Sequence, residues 1–224
     1  MKTRIVLLTI LCLAFAAIPA SAQNWSYENG PISGSVDAWL INFGYTVSDS
    51  YVAGGTSVTG FAFGVHEFPG DKTTSVDWIL STGPCSNPQG GCGTILGSGT
   101  ASGSNLHDKF LSVNEFGFDI DLITVSNLNV AEISGTQYWL TLANAMLPSG
   151  DPVYWDQNSG NGCMSKGCPS SAYESAVGTI PSESFTITGG GGSTPEPSSV
   201  VLFGSGILGL AGVLRRKLFQ TFAT

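Results

Sequence analysis

Asp119 and Asp121 are two carboxylates of this 224-residue chain whose spacing could serve acid–base chemistry. Residues two apart on a strand point to the same face, and a glycosidase needs two carboxylic acids that flank the sugar bond. Ile120 and Leu122 alternate with the aspartates, which predicts that both carboxylates lie on a solvated strand face. The sequence therefore assigns no catalytic residue, and a hydrolase acting on surface glycan is kept as an alternative.

The two histidines, His66 and His107, do not extend this pair into a nucleophile-based site. Neither lies in a Gly-x-Ser-x-Gly turn or a similar nucleophile setting. Triad residues can follow any order along a chain, so the sequence leaves a triad open as an alternative. We expect a protein that is not an enzyme.

An oxygen-rich segment is the candidate cation site of the sequence. It contains Asp151, Asp156, Asn158 and Asn161, and calcium takes about six to eight oxygen ligands from loops of this kind. The spacing does not match an EF-hand, and only two of these side chains are charged. We expect no metal and no other cofactor, with calcium at Asp151, Asp156 and Asn158 as the alternative.

The aromatic residues give a second kind of candidate site. Five tryptophans occur in a domain otherwise rich in small residues. Trp78 belongs to an apolar alternation and is predicted to be core, whereas Trp139, Tyr154 and Trp155 lie outside such alternations or beside polar groups. Aromatic faces near carboxylates and amides can stack on sugar rings. We treat these three residues as candidate glycan contacts, with burial beneath a loop as the alternative.

Four cysteines follow the N-terminal segment, and each pair lies within one loop rich in Gly, Pro, Ser and Asn. An even number of cysteines in an exported domain indicates disulfides. We predict the bonds Cys85–Cys92 and Cys163–Cys168, which would stiffen two loops. Zinc is the alternative, but no histidine lies near either pair.

The elements that must position these residues are short strands. Apolar residues alternate with polar or small ones through several runs, and turn signals such as Gly54-Gly55 and Pro69-Gly70-Asp71 separate the runs. Only Ala143 to Leu147 suggests a helical turn. The predicted fold is all-β, an antiparallel two-sheet β-sandwich of jelly-roll type, with a closed barrel as the alternative. The predicted strands contain these residues: Phe61, Phe63 and Val65; Val76, Trp78 and Leu80; Phe116, Phe118, Ile120 and Leu122; Tyr138, Leu140 and Leu142; Phe185 and Ile187.

Residues 1–22 have the pattern of a secretory signal peptide. Lys2 and Arg4 precede an apolar stretch from Ile5 to Ile18, and Ala20 and Ala22 frame a small-residue cleavage site. We expect signal peptidase to remove this segment, with an uncleaved anchor helix as the alternative. An extracytoplasmic domain over 23–188 would follow.

The other end carries a second targeting pattern. A Gly/Ser linker at 189–193 leads to Pro195, Glu196 and Pro197, and an uncharged apolar segment spans 198–214. Its length is near the lower limit for one transmembrane helix. The basic stop Arg215, Arg216 and Lys217 then predicts a cytoplasmic tail at 218–224 by the positive-inside rule.

This order of features over 194–217 resembles the PEP-CTERM sorting signal of Gram-negative bacteria. The resemblance implies export, an inner-membrane intermediate, and cleavage near Pro195-Glu196-Pro197 by an exosortase, a membrane transpeptidase. A plain single-pass anchor is the alternative. In the body, motifs such as Asn24–Pro31 and Gly135–Leu142 resemble uncharacterised PEP-CTERM cargo domains, which are expected to be sandwiches.

Charge narrows the choice of partners. Between the signal peptide and the basic stop, Lys72, Lys109 and Lys166 face sixteen acidic residues, a net charge of −13. Such a surface repels phosphate backbones, so nucleic acid is excluded as a partner. We expect a surface or matrix protein that has a structural or adhesive role and contacts exopolysaccharide. A carbohydrate-binding module is the main alternative.

Overall fold

The structure is a computed structural model, and it describes residues 25–34, 37–87, 91–158, 162–163 and 165–190. The predicted signal peptide and the whole sorting segment lie outside these residues. No helix among the described residues is long and apolar enough to cross a membrane. The strands, in chain order, are β1 (Trp25–Glu28), β2 (Ala38–Leu40), β3 (Thr46–Val52), β4 (Ser57–Glu67), β5 (Ser75–Ser81), β6 (Ile95–Ser102), β7 (Leu106–Val113), β8 (Asp119–Val125), β9 (Val130–Ala131), β10 (Gln137–Met146), β11 (Tyr154–Asp156), β12 (Ala172–Glu174), β13 (Gly178–Ile180) and β14 (Phe185–Gly190).

The strands form two antiparallel sheets, which confirms the predicted fold class and not the closed barrel. Sheet 2 has the order β13-β12-β3-β10-β5-β6. Sheet 1 is built around the long strand β4, which pairs with β14 and β11 along one edge and with β8 and β9 along the other. Strand β1 extends the sheet from β14, β2 extends it from β11, and β7 extends it from β8.

The core lies between the sheets and contains the alternating residues that the sequence identifies. Phe61, Phe63 and Val65 of β4 are fully buried, as are Leu140 and Leu142 of β10. These side chains belong to one hydrophobic cluster that spans both sheets. The period-two patterns of β4, β5, β10 and β14 therefore predicted their buried faces correctly.

The predicted helical turn at Ala143 to Leu147 is wrong, because β10 continues to Met146. Asn144 has a positive φ of 48°, and the pairing with β5 shifts register between Ala143 and Met146. Asparagine tolerates this left-handed conformation better than most residues. The irregularity that breaks the alternation is thus a local bulge within a strand.

The predicted solvated face of β8 is also wrong. Asp121 lies opposite Val65 and Ile123 lies opposite Phe63, and directly opposite residues in an antiparallel pair share a face. Asp121 therefore points between the sheets and is fully buried. On the other face Ile120 is only 2% exposed, because the segment that contains Gly34 packs on it.

Candidate functional site

Three acidic side chains meet on the inner face of sheet 1 and define what we call the acidic cluster: Glu67, Asp108 and Asp121. Each offers a carboxylate oxygen, and these oxygens lie within 4.8 Å of one another. The three residues come from adjacent strands, since β4 pairs with β8 and β8 pairs with β7. The antiparallel register, not proximity in sequence, brings them together.

The loop between β4 and β5 supplies the protein partners of the acidic cluster. The Lys72 ammonium contacts Asp121 and lies 3.2 Å from Asp108. The Thr73 backbone N–H donates to Asp108 at 2.8 Å, and the Thr73 hydroxyl donates to Glu67. One ammonium therefore faces three carboxylates.

Two oxygens of the acidic cluster accept no hydrogen bond. Both residues are fully buried, and Glu67 Oε2 and Asp121 Oδ1 have no hydrogen-bond donor within the part of the chain that the structure describes. Burial is the main cause that raises the pKa of Glu67 to about 7 and that of Asp108 to about 6. For Asp108, hydrogen bonding and charge repulsion from Asp121 add to the effect.

Asp119, which the sequence analysis paired with Asp121, does not belong to the acidic cluster and binds a loop backbone group instead. Its Oδ2 accepts a hydrogen bond from the backbone N–H of Gly70 at 2.9 Å, and the residue is 8% exposed. It belongs to the same inner face, where it lies opposite Glu67. Asp119 thus anchors the β4–β5 loop.

A second buried polar group, the Asn29 network, consists of Asn29, Asp49, Ser170 and Ser182. The Asn29 Nδ2 lies 2.6 Å from the hydroxyl oxygens of both serines. Asp49 accepts from the Ser170 hydroxyl through one oxygen, and from the Glu183 backbone N–H at 2.6 Å through the other. The network joins β3 of sheet 2 to the segments that follow β1, precede β12 and precede β14.

The predicted calcium ligands do not form one site in the described residues. Both carboxylate oxygens of Asp156 already have hydrogen-bond partners. Asp156 Oδ1 lies 2.8 Å from His66 Nε2 and accepts from the Gly34 N–H at 2.9 Å. Asp156 Oδ2 accepts from the Ser33 N–H at 2.9 Å. Asn158 donates into the region around Asn29 and Ser182. The carbonyl of Asp151 instead accepts from Asn42, and the fourth candidate, Asn161, is outside the described residues.

The three aromatic candidates differ in burial and in the groups that they contact. Trp155 is fully buried, donates its indole N–H to the Ser184 carbonyl at 2.9 Å, and packs against core aromatic rings. Its predicted glycan contact is therefore wrong in this fold. Tyr154 is partly buried and packs edge-on against Phe118. Trp139 is partly exposed on the outer face of sheet 2, between Ser50 and Ser81.

The remaining site predictions concern cysteines and the termini. The bonds Cys85–Cys92 and Cys163–Cys168 are both present, as predicted. The signal cleavage residues and the sorting residues lie outside the described residues. They are Ala20, Ala22, Pro195, Glu196, Pro197, Arg215, Arg216 and Lys217.

Sequence reasoning missed Glu67, Lys72 and Asp108. Glu67 ends a strand in which Val65 is core, so the period of two places Glu67 on the buried face. That signal was available in the sequence. The position of Asp108 was not, because β7 has an irregular pattern with mostly exposed side chains.

Comparison with known proteins identifies the C-terminal signal. Residues 193–217 match the model of the PEP-CTERM protein-sorting motif. No curated protein and no solved structure matches the chain. The motif indicates an exported protein that an exosortase-type enzyme processes, and that reaches the cell surface through a membrane intermediate.

Proposed function

We propose that the protein is a non-enzymatic structural or adhesive component of the envelope or exopolysaccharide of a Gram-negative bacterium. The observation that carries this proposal is the position of the sorting motif. It begins at residue 193, three residues after Gly190, where the last strand of the described residues ends. The sorting enzyme would then release or transfer one folded domain, with no further segment between that domain and the signal.

Features of the sandwich support a role in surface contacts. The excess of carboxylates keeps it soluble and repels other anions. Among the described residues, strand β7 pairs with β8 alone, and this edge and the turn after it expose Leu111, Val113 and Phe116. Exposed apolar patches commonly mark sites of protein–protein contact. The exposed edge is the surface that would mediate adhesion.

The sorting step would proceed from the tail residues. Pro195, Glu196 and Pro197 would form the recognition segment, and residues 198–214 would hold the chain in the inner membrane. Arg215, Arg216 and Lys217 would keep the C-terminus in the cytoplasm. Cleavage near the tripeptide would then leave the basic residues behind, while signal peptidase would act after Ala22.

Intact mass measurement of the cell-surface form tests the sorting step. We expect an N-terminus near residue 23 and a C-terminus close to Pro195-Glu196-Pro197. A Glu196→Ala variant should accumulate uncleaved in the inner membrane. A surface form that still carries Arg215 to Lys217 would contradict cleavage and indicate a plain anchor.

A surface-retention assay tests the adhesive role. The double variant Val113→Ser/Phe116→Ser removes two side chains that are 57% and 69% exposed, so folding should be preserved. We expect less protein in the matrix fraction and more in the medium. Val177→Ser, which changes a residue with 63% exposure away from this edge, is the matched control. Equal retention of both variants would contradict the role of β7.

A carbohydrate-binding module is the second candidate, and Trp139 favours it. The indole lies on an outer sheet face with serines opposite it on both neighbouring strands. A partly exposed aromatic ring can stack on a sugar ring. Polysaccharide pulldown should then weaken for Trp139→Ala and stay unchanged for Trp25→Ala. If polysaccharide retains neither the wild type nor the two variants, this candidate is excluded.

A further inference from the structure

We propose that Glu67, Asp108 and Asp121 bind one calcium ion between β4, β7 and β8. The three carboxylate oxygens lie within 4.8 Å of one another, so one cation can contact all three. This site is separate from the oxygen-rich segment that contains Asp151 and Asp156. It adds a ligand to the protein and does not depend on the adhesive role.

The unpartnered oxygens point to a ligand more directly than the acidic residues themselves. Asp121 Oδ1 and Glu67 Oε2 belong to two of the three carboxylates, and both are buried without a hydrogen-bond donor among the described residues. A buried carboxylate oxygen that lacks a donor costs free energy on folding. A cation bound by these carboxylates would supply the positive partner that their buried oxygens lack.

The charge of the cluster also favours a divalent cation. Lys72 is the ammonium that contacts it, and its side chain is 44% exposed. The three ionised carboxylates exceed this single positive charge by two.

Lys72 would be displaced when the ion binds. Its ammonium contacts Asp121 and Asp108, two of the three ligands, so it occupies the region that a cation needs. The side chain is 44% exposed, so it can turn outward into solvent when the ion replaces its two contacts. The space that it leaves, open to solvent, would admit the waters that complete the coordination.

The donors select the class of cation. All three are carboxylate oxygens, which suit calcium, magnesium or manganese and not metals that prefer nitrogen or sulfur. Calcium tolerates irregular geometry and several water ligands, whereas magnesium demands a near-ideal octahedron. Three carboxylates held by separate strands form an irregular set, so we assign calcium. Extracellular calcium modules bind with a Kd of about 10⁻⁴ to 10⁻³ M.

Calorimetric titration of the full-length chain in mild detergent with CaCl₂ tests the site. We expect one ion per chain with a Kd of about 10⁻⁴ to 10⁻³ M, and at least tenfold weaker binding for Asp108→Asn and Asp121→Asn. Asp77→Asn is the matched control, because Asp77 is a partly buried strand aspartate of sheet 2 that accepts from Asn144 and Thr100. Binding by Asp108→Asn equal to that of the wild type would overturn the proposal.

Thermal unfolding in EDTA and in 10 mM CaCl₂ separates binding from a purely structural role. Calcium should raise the Tm of the wild type and of Asp77→Asn, but not that of Asp108→Asn. In EDTA, Asp108→Asn should unfold at the same temperature as the wild type or higher, because it relieves repulsion with Asp121. This readout also decides the test if the fully buried Asp121→Asn does not fold.

Two further variants distinguish the details. Lys72→Met should bind calcium more tightly, because the competing ammonium is gone; weaker binding would overturn the displacement of Lys72. Asp151→Asn should leave the titration unchanged. Loss of calcium binding in Asp151→Asn, with binding kept in Asp108→Asn, would place the ion in the oxygen-rich segment and overturn the proposal.

Discussion

The acidic cluster and the Asn29 network are both buried polar groups that contain carboxylates, but their partners differ. In the Asn29 network, hydroxyl, amide and backbone N–H groups surround the single carboxylate of Asp49. In the acidic cluster, three carboxylates share one ammonium and a few loop donors, and two oxygens remain without a donor. One group is closed by protein donors, and the other is open.

The difference shows how to separate structural polar groups from ligand sites. A buried polar network whose members all have partners helps to define one arrangement of the chain. A buried carboxylate without donors destabilises the fold unless something else binds it. Burial alone therefore does not identify a site; in the acidic cluster, unpartnered buried oxygens coincide with three carboxylates that lie close together.

The largest expected effect comes from breaking the closed network. Asn29→Ala removes an amide whose Oδ1 accepts from the Tyr27 hydroxyl at 2.8 Å and from the Ser170 N–H at 3.1 Å. It also leaves Asp49 with fewer donors. Because each unsatisfied buried group costs about 1–3 kcal/mol, we expect the free energy of unfolding to fall by about 3 to 5 kcal/mol in urea titrations.

The control for this prediction is an exposed amide. Asn105→Ala removes a side chain that accepts one exposed hydrogen bond from Asn127, and exposed changes of this kind stay within about 0.5 kcal/mol. If Asn29→Ala cost no more than Asn105→Ala, the network would not stabilise the fold, and its contrast with the acidic cluster would fail.

The pH dependence of stability gives a second test of the Asn29 network, through the titration of Asp49. Burial, the largest cause, raises the pKa of Asp49 to about 7, although hydrogen bonds from Ser170 and Glu183 oppose it. The folded chain then binds more protons than the unfolded chain, so this contribution to stability is complete below about pH 4 and is lost as pH rises to about 7. We expect a loss of about 2 to 3 kcal/mol between pH 5 and pH 7.

Urea titrations in EDTA across this range measure that loss. Asp49→Asn should flatten the slope relative to the wild type, because residue 49 no longer titrates, whatever its absolute stability. Asp77→Asn should retain the slope. A wild type whose stability rises from pH 5 to pH 7 would show that Asp49 stays ionised through its hydrogen bonds.

The smallest effect concerns the disulfide beside the closed network. Ser170 follows the loop of Cys163–Cys168 by two residues, so this bond limits the freedom of a network member. Cys163→Ser/Cys168→Ser should lower the free energy of unfolding by about 2 kcal/mol, the chain-entropy cost for so short a loop. Calcium binding should be unchanged, which calorimetry checks; weakened binding would mean that the two polar groups are coupled.

Much of the fold could be predicted because the signals are local. Alternation with a period of two identified the buried faces of β4 and β10, since successive side chains on a strand point in opposite directions. The sequence pattern did not predict strand β3, because its inner face contains Asp49 between Val47 and Tyr51. A polar residue at a core position removes the pattern on which the prediction depends.

The candidate site could not be predicted in the same way. Sequence reasoning selected Asp119 and Asp121 as a pair, although only Asp121 belongs to the acidic cluster. It selected Trp155 as a glycan contact because polar residues surround it in sequence, yet the indole N–H finds a backbone carbonyl within the core. Neighbours along the chain are poor guides to neighbours across a sheet.

The sequence by itself determined the all-β class, both disulfides and the C-terminal sorting motif, because each depends on residues close together in the chain. Only the tertiary structure decided that Glu67, Asp108 and Asp121 meet. Their meeting depends on the register of three strands separated by loops, and a shift of one residue in that register would turn every side chain of a strand to the opposite face.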